Sequence, residues 1–443
     1  MDKRNKIIQE LAPRKFSREG KLWVMLLVLV IVAATISYGI QLKKGLVITD
    51  MRDYALWGIY ISNFVFFVAI SLVGSLVSAI LHLTGVKWDT PLTRIAEIIA
   101  IAAIIMAGFT IIIDMGRPER LFYLFTHGRL QSPIIWDVVV ITTYLVMSVL
   151  LLYYPLLPDF AILKEYYKDR PKLSKRYGKL SLNWKKLPEQ RKLHRRSIWI
   201  LSIMIIPVAF AIHTVTAWLF ATTYRPGWDS TNFGPYFIAG AFVAGAASVI
   251  SVMYVIRRVY DLERYITNFH FDRMARLLVL LCMVYLYFNI NEYLVPAFKN
   301  TVDEAEHLDS LFIGEYSFLF WLVTLGGLIA PIFLLAFPKF RKPLPLFIIS
   351  IVVVLGAWWK RYLIVAPTLL HPFLPMEGVP ETWHHYYPTL LEWIITSGTL
   401  AMTLLIITLL VRYLPVIPIR NALMQEGLEE HINLKPEKKA ETE

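Results

Sequence analysis

The sequence predicts an all-α, polytopic membrane protein with about ten transmembrane helices and both termini in the cytoplasm. Of its 443 residues, 57% are hydrophobic and only 18% are charged, and the mean hydropathy is +0.54. The apolar residues form ten runs that are each long enough to cross about 30 Å of hydrocarbon. The basic residues collect in alternate connections between these runs. A soluble globular protein of this length does not carry so many long apolar runs, which excludes that class.

The apolar runs define the predicted spans. The first run follows a strongly charged segment and has no small-residue cleavage site, so we expect an anchor helix and not a signal peptide. The ten predicted spans are 22–41, 55–83, 94–114, 134–155, 197–221, 235–256, 275–296, 315–337, 344–365 and 388–412.

A weak duplication indicates how the spans are grouped. "TRIAEI…IIIDM" resembles "DRMARL…NINEY", since each runs from Arg-x-Ala to an acid about 20 residues later. The duplication predicts two four-helix bundles, about 55–221 and 235–365, with peripheral helices completing a membrane domain at 22–412. In the second span a stripe suited to tight helix packing is formed by Ser71, Gly74, Ser75 and Ser78.

Basic residues set the predicted orientation. With the N-terminus inside, the cytoplasmic segments hold 35 Lys and Arg residues and the outer segments hold 8, and two more inside the ninth span complete the 45. This excess predicts that both termini lie inside. It assigns segment 1–21, the basic loop 156–196 and the tail 413–443 to the cytoplasm, where the loop would face membrane lipids. Topology thus accounts for the net charge of +12, and nucleic-acid binding is not expected.

The spans lack the ligands for haem or metal chemistry. Cys282 is the single cysteine and lies mid-membrane, so it can hold neither an iron–sulfur cluster nor a disulfide within this chain. His213 is the only histidine well inside a span, whereas a bis-histidine haem needs two imidazoles that face each other. We therefore expect no haem, no iron–sulfur cluster and no bound metal.

The connection "DMGRPERLFYLFTHGRLQSPIIWD" combines many charges with turn residues. Asp114 ends the third span, where the helix dipole disfavours a carboxylate, so we expect Arg117 or Arg120 to pair with it. The Ser-Pro pair at 132–133 is typical of a helix N-cap and first helical residue. Asp137 lies about one turn further in, beyond capping range. An acid inside a membrane span indicates a proton or ligand path.

Other polar side chains lie at the same depth in the outer half of the spans. The amide of Asn63 is costly to bury in lipid, so it should face a partner or a ligand. A lone histidine such as His213 is either a packed hydrogen-bonding residue or part of a site, and both interpretations stay open. Arg361 in the ninth span pairs with Glu292 or Glu392 to bury both charges, or joins a functional site, or does both.

These segments resemble a known family. "DMGRPER…GRLQSPIIWD" and "WGIYISNFVFFVAI" resemble the NrfD/PsrC-type membrane subunits of polysulfide-reductase-like complexes. The chain is more similar still to the ten-helix membrane subunits of alternative complex III, in which "LSKRYGKLSLNW", "IHTVTAW", "RPGWDSTNFGPYFIAGA", "WHHYYPTLLEW" and "RYLPVIPI" have counterparts. The resemblance covers nearly the whole chain and depends on the order and spacing of these segments.

The resemblance implies a subunit of a respiratory oxidoreductase in the inner membrane of the cell. Members of the family exchange electrons between membrane quinone (menaquinone or ubiquinone) and an iron–sulfur, ferredoxin-like subunit docked on the outer face. They carry no haem or metal of their own. The other implied partners are molybdopterin-type or cytochrome c subunits, a paralogous membrane subunit, and membrane lipids. The chain would therefore be one quinone-reactive subunit and not a complete enzyme.

The polar residues of the outer half are the candidates for these roles. Oxidation of a quinol releases two protons and two electrons, so its pocket needs a hydrogen-bonding base and carboxylates that carry protons away. The quinone-binding candidates are His213, Asn63, Asp114, Arg117 and Trp218. The proton-transfer candidates are Asp137, Glu292, Glu392, Arg361 and, toward the cytoplasm, Glu97. The partner-docking candidates are Arg120, His127, Arg129 and Arg225.

Two other functions stay open at this point. A secondary transporter would have helices interrupted at corresponding midplane positions of its repeats. Pro207 and Pro331 lie inside spans, and neither has a clear counterpart in the other repeat. A purely structural anchor of a membrane complex would bind no quinone.

Overall fold

The computed structural model describes residues 3–14, 16–84, 90–185, 187–374 and 377–428. These residues form helices joined by short connections, with no strand among them, which confirms the all-α fold. In chain order the helices are α1 (Lys3–Leu11), α2 (Arg18–Lys44), α3 (Ile59–Thr84), α4 (Thr90–Asp114), α5 (Tyr123–Thr126), α6 (Pro133–Tyr166), α7 (Pro171–Leu180), α8 (Pro188–Ala221), α9 (Phe233–Val259), α10 (Asn268–Lys299), α11 (Val302–Phe312), α12 (Ser317–Trp321), α13 (Ala330–Ala336), α14 (Pro343–Leu369), α15 (Leu390–Tyr413) and α16 (Ile419–Gln425). Short 3₁₀ helices are Leu46–Ile48, Pro118–Phe122, Pro338–Arg341 and Glu381–Trp383.

Ten helical segments of the described chain are long and apolar enough to cross a membrane. They are α2, α3, α4, α6, α8, α9, α10, the composite segment Ser317–Ala336, α14 and α15. Each coincides with one predicted span, so the predicted number of spans is confirmed. Continuous helices are the expected form because backbone N–H and C=O groups in hydrocarbon must bond within their own segment.

Several helix ends carry the signals expected from the sequence. Ser17 caps α2, and its side chain accepts a hydrogen bond from the backbone N–H of Gly20 (3.1 Å). The same helix ends at Gly45, whose φ of +80° favours glycine. Ser132 is the N-cap of α6 and Pro133 its first residue, as predicted, although the Ser132 side chain makes no capping hydrogen bond.

The helices next to the basic segment 156–196 are longer than the predicted spans. Helix α6 continues to Tyr166 through Pro155 and Pro158, and α8 begins at Pro188. Helix α7 lies between them, so most of this segment is helical and not an irregular loop. The helices extend beyond the predicted spans because hydropathy marks the apolar part of a helix, whereas charged residues continue a helix equally well.

The membrane helices form two bundles. Helices α3, α4, α6 and α8 pack together in bundle one, and α9, α10, α14 and the composite segment pack together in bundle two. Helix α3 also contacts α9 and α14, which joins the bundles side by side. The peripheral helices α2 and α15 pack on each other, and α15 also contacts α4. This arrangement agrees with the predicted two bundles plus peripheral helices.

The composite segment contains a π-helix between α12 and α13. This π-helix, Leu322–Ile329, brings Gly327 against Gly356 of α14 so closely that a Cβ on Gly327 would lie 3.0 Å from the Gly356 Cα. Stretches of π-helix are rare and are often found at functional sites. We call the helix ends next to segment 114–132 the outer end, following the predicted orientation, and the opposite end the inner end.

Candidate functional site

A first polar group joins α6 to α8 inside bundle one. Thr216 Oγ1 donates a hydrogen bond to Asp137 Oδ1 (2.9 Å), and both side chains are buried. His213 precedes Thr216 by three residues and shares its helix face. The imidazole of His213 is 2% exposed, and its Nδ1 lies 3.2 Å from the Ala209 carbonyl oxygen. Its Nε2 is buried and has no hydrogen-bond partner among the described residues.

A second group holds the predicted residue Asn63 between three helices. Its Oδ1 accepts a hydrogen bond from Trp358 Nε1 (2.8 Å), and its Nδ2 donates one to Thr396 Oγ1 (3.0 Å). The amide therefore has the partners that its burial in a membrane helix requires. These bonds connect α3 to α14 and α15, and they give Asn63 a role in joining bundle one to its neighbours.

Asp114 lies at the outer end of α4 but does not pair with the arginines that follow it. Arg117 and Arg120 are exposed, and no ion pair joins either of them to Asp114 in the described structure. The expected pairing was wrong because the chain turns away into a 3₁₀ helix directly after α4. Tyr38 Oη and Gln41 Nε2 instead donate hydrogen bonds to carbonyl oxygens in the last turn of α4 (3.2 and 3.0 Å). The Asp114 Oδ1 atom is buried and has no hydrogen-bond partner among these residues.

Glu392 belongs to the cap of α15. Its Oε2 accepts hydrogen bonds from the N–H and the hydroxyl of Thr389 (2.9 Å each) and from the N–H of Asp50 (3.0 Å). Its Oε1 accepts one from the Tyr386 hydroxyl (2.7 Å). Four donors on a fully buried carboxylate indicate a structural role that the sequence analysis missed. The Thr-x-x-Glu spacing of a capping box was the available signal.

A third group lies at the outer half of bundle two. Glu292 accepts hydrogen bonds from Ser230 Oγ (2.9 Å) and Asn232 Nδ2 (2.8 Å). Next to it, Lys360 Nζ donates a hydrogen bond to the Tyr293 hydroxyl (2.7 Å). Three elements contribute these residues: the connection before α9, helix α10 and helix α14. Among the predicted acids, Glu292 therefore lies inside a span and accepts its hydrogen bonds from the neutral side chains of Ser230 and Asn232.

Arg361 does not form the expected ion pair with Glu292 or Glu392. Its guanidinium is 1% exposed and lies over the Phe237 ring, 5.0 Å from the centroid. Its Nη2 is 3.5 Å from the Phe237 carbonyl oxygen, and its Nε and Nη1 atoms have no partner among the described residues. The predicted pairs do not form because the guanidinium is directed at Phe237 of α9, whereas Glu292 and Glu392 accept hydrogen bonds from other groups.

Two further predicted residues lie away from these groups. Trp218 is 50% exposed on α8, so it does not share the buried face of His213. Glu97 is buried near the inner end of α4, three residues after Arg94. Arg94 Nη2 forms an ion pair with Asp159 Oδ2 (2.6 Å) that was not predicted, although both charges stood at the ends of apolar runs.

The predicted docking residues are at the outer end. Arg120, His127 and Arg129 are exposed, and Arg225 is half-buried. Exposed aromatic rings, including Phe122 and Phe125, lie in the same connection between α4 and α6. This connection therefore presents both positive charge and apolar area at the outer surface.

Two small internal cavities lie in bundle two, each of about 20 Å³. The outer cavity is lined by residues that include Tyr236, Glu292, Tyr293, Glu304 and His307. The inner cavity is lined by residues that include Tyr285, Asn289, Thr324, Lys360 and Arg361. Each has room for about one water molecule, and neither would admit a six-membered ring. His213, Asn63 and Asp137 line neither cavity.

The outer cavity contains a histidine that the sequence analysis did not select. His307 in α11 is buried, and its ring lies 5.6 Å from the ring of His371. Burial, reinforced by the nearby charges of His371 and Lys360, lowers the pKa of His307 to about 3. The imidazole is therefore neutral in the folded protein at physiological pH.

The low pKa of His307 predicts that acid destabilises the fold. An unfolded histidine titrates near pH 6.5, so the stabilisation is complete above that pH and is lost as the pH falls toward 3. At pH 5 the expected loss is about 2 kcal/mol relative to a variant that cannot titrate. The measurement is the free energy of unfolding in detergent between pH 5 and 7.5 for wild type, His307→Gln and the exposed-site control His127→Gln. Parallel pH profiles for wild type and His307→Gln would contradict the prediction.

Comparisons with known proteins agree with this architecture. The family model described as "Polysulphide reductase, NrfD" matches residues 47–372. The chain is 29% identical to a putative dimethyl sulfoxide reductase membrane subunit of Halobacterium salinarum, over 90% of this chain and 92% of that protein. It is 25% identical to a selenate reductase subunit of Mesobacillus selenatarsenatis, over 89% and 94% of the two chains. It is 22% identical to the Hdr-like menaquinol oxidoreductase integral membrane subunit of Archaeoglobus fulgidus, over 92% and 96%.

The comparisons confirm the predicted family, while the finer similarity to alternative complex III stays a prediction. The match covers both bundles, from the connection before α3 to the outer end of α14. The relatives are covered almost from end to end, so the similarity extends to the peripheral helices as well. This ten-span integral membrane protein belongs to the polysulphide reductase NrfD family.

Proposed function

We propose that this chain is the quinone-reactive membrane subunit of a multisubunit reductase complex. It exchanges two electrons and two protons with a membrane quinone, and the electrons pass to or from an iron–sulfur subunit at its outer face. Relatives named as subunits of dimethyl sulfoxide and selenate reductases support a place in such a complex. The relative named as a menaquinol oxidoreductase subunit supports quinone as the membrane substrate, and menaquinone as its type.

The observation that carries the proposal is the His213 imidazole. It is buried in bundle one, its Nδ1 is directed to its own helix, and its Nε2 is free among the described residues. In this proposal Nε2 accepts a hydrogen bond from one hydroxyl of the quinol, which orients the ring. Asp137, held by Thr216 on the same face, accepts a proton when the quinol is oxidised to the quinone.

The remaining predicted residues take supporting places in the proposal. Asp114, whose buried oxygen has no partner in the described structure, lies at the rim between bundle one and the outer surface. The positive and apolar connection that follows it, with Arg120 and Arg129, provides a docking surface for an acidic iron–sulfur partner. Glu292 is proposed as a second proton acceptor, in bundle two.

The experiment is a fluorescence titration of the purified protein with a quinol-analogue inhibitor. His213→Ala is expected to weaken binding about tenfold or more, since it removes a buried hydrogen-bond acceptor. Asp137→Asn is expected to slow quinol oxidation more than it weakens inhibitor binding. Thr214→Val is the matched control, because Thr214 lies next to His213 and its hydroxyl is bonded to the Phe210 carbonyl oxygen (2.9 Å).

Two outcomes would decide against the proposal. If well-folded wild type shows no saturable binding, even with its iron–sulfur partner present, the chain is a structural anchor. If His213→Ala and Thr214→Val bind the inhibitor equally well, the quinone site lies elsewhere.

The geometry does not favour a secondary transporter. The π-helix Leu322–Ile329 interrupts the third membrane segment of bundle two. Helix α6 holds the corresponding place in bundle one and is one continuous α-helix from Pro133 to Tyr166. Transporters built on repeats place interruptions at corresponding positions of both halves.

A further inference from the structure

Bundle two buries a positive charge that has no negative partner among the described residues. Arg361 is 1% exposed, and its guanidinium contacts the Phe237 ring and, through Nη2, the Phe237 carbonyl oxygen. Its Nε and Nη1 atoms have no hydrogen-bond partner in the same part of the chain. Charges inside membrane spans are normally paired, because an isolated charge in a low-dielectric interior is costly. Arg361 therefore lacks a compensating group of the kind that buried arginines usually have.

Arg361 lines the inner cavity together with other donors. Thr324, on the π-helix, contributes a buried hydroxyl that has no hydrogen-bond partner in the described structure. Asn289 contributes an amide and Lys360 an amine, whose Nζ donates a hydrogen bond to the Tyr293 hydroxyl. The described residues that line this cavity include no Asp and no Glu. Its wall is thus rich in hydrogen-bond donors and holds the positive charge of Arg361.

The outer cavity provides a contrast within the same bundle. It has the same volume of about 20 Å³ but is lined by the carboxylates of Glu292 and Glu304. Lys360 contacts Tyr293 between the two cavities, with its Nζ 2.7 Å from the tyrosine hydroxyl. Carboxylates therefore line the outer cavity, whereas the inner cavity is lined by Arg361 and Thr324, whose donors have no partner among the described residues.

We propose that the inner cavity binds a small monovalent inorganic anion of the size of chloride. A water molecule could accept hydrogen bonds from Arg361 and Thr324, but it would leave the buried charge uncompensated. A cavity of about 20 Å³ holds one water-sized particle, which excludes phosphate, sulfate and organic carboxylates. The close approach of Gly327 and Gly356 beside the cavity limits its size further.

The anion would link four helical elements. The cavity lies between α9, α10, the π-helix and α14, and residues of all four line it. An anion that accepts hydrogen bonds from Arg361 and Thr324 would fix the π-helix to α14. Its binding would therefore stabilise the folded protein. This inference rests on the residues that line the inner cavity and does not depend on the proposed quinone reaction.

The test is a bromide titration of the full-length protein in detergent. The protein is first exchanged into gluconate, and bromide is then added at constant ionic strength while the unfolding temperature is recorded. Wild type is expected to show a saturable rise. Arg361→Gln is expected to weaken the apparent bromide affinity about tenfold or more, and Thr324→Val to weaken it severalfold. Glu304→Gln, in the outer cavity, is expected to respond as wild type does.

Crystals grown in bromide locate the site, with an anomalous peak expected between Arg361 and Thr324. If Arg361→Gln fails to fold, the bromide affinity of Thr324→Val tests the proposal instead, because this substitution removes one hydroxyl and keeps the side-chain shape. The proposal is overturned if the unfolding temperature of wild type does not depend on bromide. It is also overturned if Thr324→Val saturates as wild type does, or if the cavity shows a water and no anomalous peak.

Discussion

Arg94→Met is expected to lower the free energy of unfolding by about 3–5 kcal/mol. Arg94 and Asp159 form a 2.6 Å ion pair between α4 and α6 in which neither side chain is more than 2% exposed. Removing the guanidinium leaves the Asp159 carboxylate buried without the charge of Arg94, although it still accepts a hydrogen bond from the N–H of Arg420 (2.8 Å). The substitution also removes a hydrogen bond from Arg94 Nη1 to the Pro415 carbonyl oxygen (2.8 Å), which ties α4 to the segment after α15.

The measurement is unfolding in a mixed-detergent titration. Arg276→Met is the matched control, because Arg276 pairs with Asp272 at 2.9 Å but is largely exposed, and a loss of only about 0–1 kcal/mol is expected. The double variant Arg94→Met/Asp159→Leu is expected to recover most of the lost stability, since both charges of the pair are removed together. Equal losses of unfolding free energy for Arg94→Met and Arg276→Met would show that the buried ion pair stabilises the fold no more than the exposed pair does.

Gly74→Val is expected to cost at least about 2–3 kcal/mol by forcing α3 away from α4. A Cβ at this position would overlap the Ala96 carbonyl oxygen and lie 2.7 Å from the Ala100 Cβ. The overlapping atom belongs to the backbone of α4, so no side-chain rotation relieves it. Small residues allow such close helix contacts in membranes, where helices gain little from the hydrophobic effect.

Gly108→Val is the control for this substitution. Gly108 lies on α4 of the same helix pair, and a Cβ there would meet nothing within 4 Å. We expect this variant to unfold within about 0.5 kcal/mol of wild type in the same titration. If Gly74→Val were equally stable, the α3–α4 contact would have to be more adaptable than its geometry indicates.

The sequence predicted the membrane helices well because the physical signal is strong. A run of about 20 apolar residues has few alternatives to a spanning helix. The helix ends were beyond the reach of hydropathy, as the continuation of α6 to Tyr166 and the start of α8 at Pro188 illustrate. Charged residues ended the apolar run there without ending the helix.

The sequence predicted how far along its span each candidate residue lies, but not the direction in which its side chain faces. His213 and Trp218 are five residues apart on α8, yet His213 is 2% exposed and Trp218 is 50% exposed. Hydropathy gives the position of a residue along a span, whereas its direction depends on which neighbouring helices pack against that face. The same limit explains why Asp114 was paired with Arg117, and why Arg361 was expected to meet Glu292.

Other features were beyond prediction because they arise from contacts between distant segments. The amide of Asn63 bonds to Trp358 and Thr396, which are about 300 residues away along the chain. The π-helix Leu322–Ile329 has a sequence as apolar as its neighbours, and no local signal separates it from an α-helix. The capping box of Glu392 was the exception, since its signal was present at 389–392.

The packing of α2 against α15 has a consequence for biosynthesis. Ala34 meets Gly398, and Trp23 Nε1 donates a hydrogen bond to Thr408 Oγ1 (3.2 Å), so the first and last of the ten candidate spans in the described chain are partners. About 350 residues separate the end of α2 from the start of α15. At a synthesis rate of about 5–20 residues per second, α2 waits on the order of 20–70 s for its partner. A ribosome that stalls before α15 therefore leaves an unfinished helix pair in the membrane, which insertion and quality-control factors could recognise.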